Sequence, residues 1–140
     1  MKSFILVMLM AVSSYGSIVF DPLIGRWDYV GFHYQGHYFQ KPNPDLHVTF
    51  EFDMNQHVKL TWIRDDDHSH CNRIADYSVN QGVIRQTITW VDPDNSFGCS
   101  SDPDMTLGKT SETPYQVNEN TLNLYLSLNG EELVYVLNRL

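Results

Sequence analysis

No run of this 140-residue chain is apolar for long enough to cross a bilayer as a helix. The longest, Phe4 to Val12, is less than half of the ~20 residues that a hydrocarbon core demands. Positive charge is scarce too: 9 Lys and Arg stand against 17 Asp and Glu, for a formal net charge of −8. That balance excludes nucleic acid and anionic membrane surfaces as partners, since both require clustered cations. There is no GxSxG elbow, no HExxH and no phosphate-binding glycine loop, so the usual signatures of nucleophilic, zinc-protease and nucleotide chemistry are missing. Helical periodicity is absent as well, and only two cysteines occur, Cys71 and Cys99.

What is present begins with "MKSFILVMLMAVSSYGS", a lysine, a short apolar run and then small residues. This pattern reads as a signal peptide over residues 1–16, with small residues at Ser14 and Gly16 before the cleavage point. The domain is then 17–140, one compact unit with a modest core. No cysteine follows the apolar run to carry a lipid. The expected product is secreted or periplasmic, without a membrane span, and monomeric. In such a compartment a Cys71–Cys99 disulfide is the default, with two free thiols or a shared metal as the alternatives.

Alternation of apolar and polar residues marks eight strands, 25–34, 46–53, 57–64, 73–80, 83–91, 105–117, 121–128 and 132–139. The connections follow a rule. "MNQ", "NQG" and "NEN" are short, whereas "QGHYFQKPNPD", "DDDHSHCN" and "DPDNSFGCSSDPD" are long. Successive connections of an antiparallel meander lie at opposite ends, which puts all three long loops at one end. Pairing the last strand with the first removes both exposed edges. The expected fold is therefore all-β, an eight-stranded antiparallel up-and-down barrel with a tight end and a loop-rich mouth.

"LIGRWDYV", with Gly25 and Trp27, resembles the glycine-x-tryptophan signature of lipocalins and related calycin barrels, and "LVYVLNRL" is similar to their final strand with its arginine, Arg139. The resemblance implies that Arg139 packs over Trp27 at the closed end, a cation–π contact. Strand order leads to the same pairing, because strand one leaves the closed end and strand eight returns to it. Two features depart from the family: no helix follows the last strand before Leu140, and its Thr-Asp-Tyr turn is echoed only by "TPY" at 113–115. The chain thus looks like a short lipocalin-like domain. The resemblance implies binding of small, mostly hydrophobic molecules, and no enzymatic activity.

Parity within the strands groups Trp27, Tyr29 and His33; Val58, Leu60, Trp62 and Arg64; and Leu133, Tyr135 and Leu137. Turned inward, these faces make an aromatic cavity whose ligand-binding residues are Tyr29, His33, Trp62, Arg64 and Tyr135. Arg64 either anchors a ligand carboxylate there or caps "DDD" at the rim, since a buried guanidinium requires a partner. The fifth strand is ambiguous, with Ile84, Ile88 and Trp90 competing against Val83 and Val91. Seven acids gather at the mouth, Asp65, Asp66, Asp67, Asp92, Asp94, Asp102 and Asp104, together with His68 and His70. As an EF-hand the second loop fails, because its glycine position falls on Phe97 and its closing glutamate on Pro103. A solvated acidic rim is the expectation, with no metal and no cofactor. Two alternatives stay open: a filled barrel whose acidic rim loops contact another macromolecule, and metal or haem capture at the mouth, where five of the six histidines gather.

Overall fold

The computed structural model describes residues 21–140; the signal peptide expected over 1–16 lies outside them. Nine strands form one sheet: β1 Gly25–Tyr34, β2 His37–Gln40, β3 Leu46–Phe52, β4 His57–Arg64, β5 His70–Asn80, β6 Val83–Val91, β7 Thr110–Asn118, β8 Thr121–Leu128 and β9 Glu131–Arg139. All pairings are antiparallel; β3 to β9 pair in chain order, β1 pairs with both β2 and β3, and β9 returns to β1 from Trp27↔Arg139 to Tyr34↔Leu133. The sheet is thereby closed. β2 and β3 share one edge of β1, β2 along Gly31–Tyr34 and β3 along Gly25–Asp28. Together they make one interrupted wall, so the barrel counts eight strands.

Three boundaries depart from expectation. The first long loop contains β2, because Gln35 and Gly36 both take positive φ, 49° and 76°. This is the turn geometry that suits a two-residue hairpin, and the paired residues Tyr34 and His37 flank it. The fourth predicted strand starts at His70 rather than at residue 73, which places Cys71 in β5 and not in a loop. The sixth starts at Thr110 rather than at residue 105. Before it the chain folds into two 3-10 turns, Phe97–Ser101 and Pro103–Met105. Asp102 starts the second by accepting a hydrogen bond from the Asp104 amide, with Pro103 fixing the first turn position.

Two β-bulges redirect side chains. Between β1 and β9 the register skips from Tyr29 to Gly31, leaving Val30 as the extra residue. Between β5 and β6 it steps from Ile74↔Trp90 to Ala75↔Ile88, leaving Thr89 unmatched. Each extra residue inverts the inward parity beyond it. In β6, Ile84 and Ile88 face the core while Trp90 turns outward, 42% exposed. The ambiguity of the fifth predicted strand is resolved by that bulge.

The core fills the closed end, where Trp27, Leu23, Ile84, Leu122, Leu137 and Val58 are the largest fully buried side chains. The Trp27 indole donates to the Leu23 carbonyl at 2.8 Å. The Arg139 guanidinium lies 4.1 Å from the centroid of its ring and donates to the carbonyls of Ile24 and Pro22, at 2.8 and 2.7 Å. Gly25 sits beneath this arginine with φ of 137°, where a Cβ would come within 2.7 Å of Arg139 Nη1. The backbone angle demands glycine, and any Cβ would also displace the end of the Arg139 side chain. No helix among the described residues is long and apolar enough to cross a membrane.

Candidate ligand-binding site

Above the packed end the barrel holds a cavity of about 470 Å³, within the size range of small-molecule sites. Most of its wall comes from inward positions of four strands. β1 supplies Tyr29 and Phe32, β3 supplies Val48 and Phe50, β4 supplies Leu60 and Trp62, and β9 supplies Leu133, Tyr135 and Leu137. Tyr29 and Tyr135 pack with ring centroids 5.0 Å apart. Burial, with Tyr135 and Tyr38 adding to it, pushes the Tyr29 phenol up to about 12. Burial likewise raises Tyr135. Both hydroxyls are therefore neutral donors at physiological pH.

The 3-10 segment closes one side of this cavity with Asp102, Asp104 and Met105. The β6–β7 ladder ends at Thr87↔Thr110, and the segment sits where the ladder stops. The Cys71–Cys99 disulfide ties it to β5, with Cα atoms 5.7 Å apart and a sequence separation of 28. Cys71, Cys99 and Met105 are buried together with Leu60 in a second small core. Hydrogen bonds reinforce the tie: His70 N to Ser96 Oγ at 2.9 Å, Ser96 N to His70 O at 3.0 Å and Asn72 N to Asn95 Oδ1 at 2.7 Å.

Of the residues expected to line the cavity, Tyr29, Trp62 and Tyr135 do so. His33 does not. The Val30 bulge turns it to the outer surface, where its ring packs on Tyr38 at 5.1 Å, and Phe32 takes the inward place. Arg64 is also outside the main cavity: its guanidinium lies 5.3 Å over the Trp62 ring, in a crevice with Asp67, Ser69 and Asp102. Its Nε is buried without a hydrogen-bond partner among the described residues. Asp67 accepts from the Ser69 hydroxyl and amide, at 2.5 and 3.0 Å; these bonds hold its carboxyl below the usual range, and the Arg64 charge helps.

Alternation within the wrongly bounded fourth strand concealed Arg73. Extending β5 to His70 gives the inward series Cys71, Arg73, Ala75 and Tyr77, all buried. The half-cystine that begins this series was the available signal. Arg73 is only 3% exposed. Its Nε donates to the Asp104 carbonyl at 3.2 Å and its Nη1 to Gln86 Oε1 at 2.9 Å. Burial lowers its pKa to about 10, against the opposing charges of Asp104 and Asp102. It borders a second cavity of about 250 Å³, which shares Phe50, Asp104 and Tyr135 with the first.

The histidines do not converge. His47 contacts Asp65 at 2.8 Å, and His57 lies 3.5 Å from both Asp53 and Asp76 on the outer wall. Among the described residues no group of three or more His, Cys, Asp or Glu side chains is placed to share a metal ion. Three of the mouth acids, Asp67, Asp92 and Asp102, are instead tied up in turns. Asp92 and Asp102 each accept from the amide two residues on, both at 2.9 Å.

No family model and no curated protein matches this chain in sequence. Solved structures do match it in fold. A lipocalin-like protein from Bacteroides uniformis ATCC 8492 superposes with a TM-score of 0.58 at 14% identity, covering 86% of this chain and all of that one. An uncharacterised protein from Bacteroides eggerthii DSM 20697 gives 0.55 at 17% identity, over 84% of this chain and 98% of that one.

Proposed function

We propose that this divergent lipocalin-like barrel is an exported binding protein that holds a small, predominantly hydrophobic molecule and catalyses no reaction. The aromatic cavity of about 470 Å³ carries this reading. A barrel of eight strands has room for packed side chains or for one small ligand, and here the closed end is packed while the mouth half is hollow. Export is supported by the disulfide, which persists in oxidising compartments. Trp62 in the cavity wall is a built-in reporter. Titration with dodecan-1-ol and retinol should change tryptophan emission saturably, and Val48→Trp, which fills the cavity, should weaken that response. Emission unchanged by both probes overturns the carrier reading. The rim-contact reading would then take its place, favoured by Phe97, which stands 98% exposed on the stapled loop.

A further inference from the structure

The feature that an apolar carrier leaves unexplained is Arg73. Burying a guanidinium is costly unless a counter-charge compensates it. Yet both of its hydrogen bonds go to uncharged oxygens, the Asp104 carbonyl and the Gln86 side chain. Among the described residues no carboxylate oxygen lies within 4.0 Å of it. The nearby acids are otherwise engaged. Asp104 contacts Lys109 at 3.4 Å, Glu112 pairs with Arg85 at 3.0 Å, and Asp102 accepts from the Asp104 amide at 2.9 Å. Of the five donors of a guanidinium, those on Nη2 meet none of the described residues.

Arg73 stands in the wall of the smaller cavity with Lys109 as a second cation. The apolar cavity adjoins it through Phe50 and Tyr135. We propose that the ligand is an amphipathic organic anion, its carboxylate held by Arg73 and its apolar chain lying against Tyr29, Phe32, Phe50 and Trp62. A planar carboxylate matches the guanidinium fork and is the strong form of such a hydrogen bond. This inference rests on the carrier reading and names the chemical class of the molecule carried.

The test compares dodecanoate with dodecan-1-ol, two probes of equal chain length that differ in head-group charge. In the wild-type protein at neutral pH, dodecanoate should bind at least roughly tenfold more tightly, as a charge-assisted hydrogen bond is worth about 1.5 to 3 kcal/mol. Arg73→Met should remove that preference and leave the alcohol's affinity within about threefold; Arg73→Lys should restore part of it. Equal affinity of the two probes for the wild type, or equal losses in Arg73→Met, overturns the anion site while leaving the carrier reading intact. Binding of neither probe overturns both. Should Arg73→Met misfold, Arg73→Lys, which keeps a buried cation, reads the same change in preference.

Discussion

At the scale of single residues, the closed end and the cavity wall use arginine in opposite ways. Arg139 is partly buried, stacks on Trp27 and caps two carbonyls, so it stabilises the seal. Gly25 makes room for it. Gly25→Ala should destabilise the fold by about 1 to 3 kcal/mol through its backbone angle, before any displacement of Arg139; urea denaturation measures this. Arg73 sits inside with no ion pair among the described residues. A well-packed apolar replacement for such a group is often neutral or stabilising. The ligand-free Arg73→Met protein should accordingly melt no lower than the wild type, whereas Arg139→Met should melt lower. Glycine, tryptophan and terminal arginine were legible in the sequence because end-to-end closure leaves them one meeting place. Arg73 was not, since its inward direction depends on where β5 begins.

At the scale of elements, bulges and the loop staple decide what the cavity contains. Strict alternation puts His33 inside and cannot settle Trp90; one extra residue, Val30 in β1 and Thr89 in β6, sends both outward. Such insertions leave no mark in a pattern of apolar residues, because they depend on the partner strand's register. The disulfide could be anticipated from the compartment and the cysteine count. That the stapled segment closes one side of the cavity could not. Replacing both cysteines by serine should cost about 3 to 4 kcal/mol, by the loop-closure entropy of a loop of this length. Hydrogen exchange at the Ser96 and Cys99 amides should accelerate first, since their bonds to His70 and Ser96 hold the segment in place.

For the whole molecule, burial of its phenols gives stability an alkaline limit. Tyr29 is raised to about 12 by burial, and Tyr77, Tyr115 and Tyr135 are raised for the same leading reason. A folded pKa above the unfolded one means that the folded state holds the proton longer. Their contribution is full below about 10 and is lost as pH rises toward 12. Arg73 has the reverse sign, because its depressed folded pKa of about 10 relieves its burial cost as pH rises through that value. Four tyrosines oppose one arginine, so the free energy of unfolding should fall between pH 10 and 12. The fall should be steeper in Arg73→Met, which lacks the opposing rise. Denaturant titrations across that range would show it.

The all-β class, the antiparallel meander, the alternation of short and long connections and the closure of the last strand on the first follow from the sequence alone. Each is a local periodicity or a turn signal, or follows from counting ends. Tertiary structure decided the rest. It formed β2 from a presumed loop, chose the outward side for His33 and Trp90, set Arg64 beside the cavity rather than in it, and brought Arg73 within. For His33 and Trp90 the physical reason is register. The direction of a strand side chain is fixed by its register against the neighbouring strand, and one inserted residue reverses it.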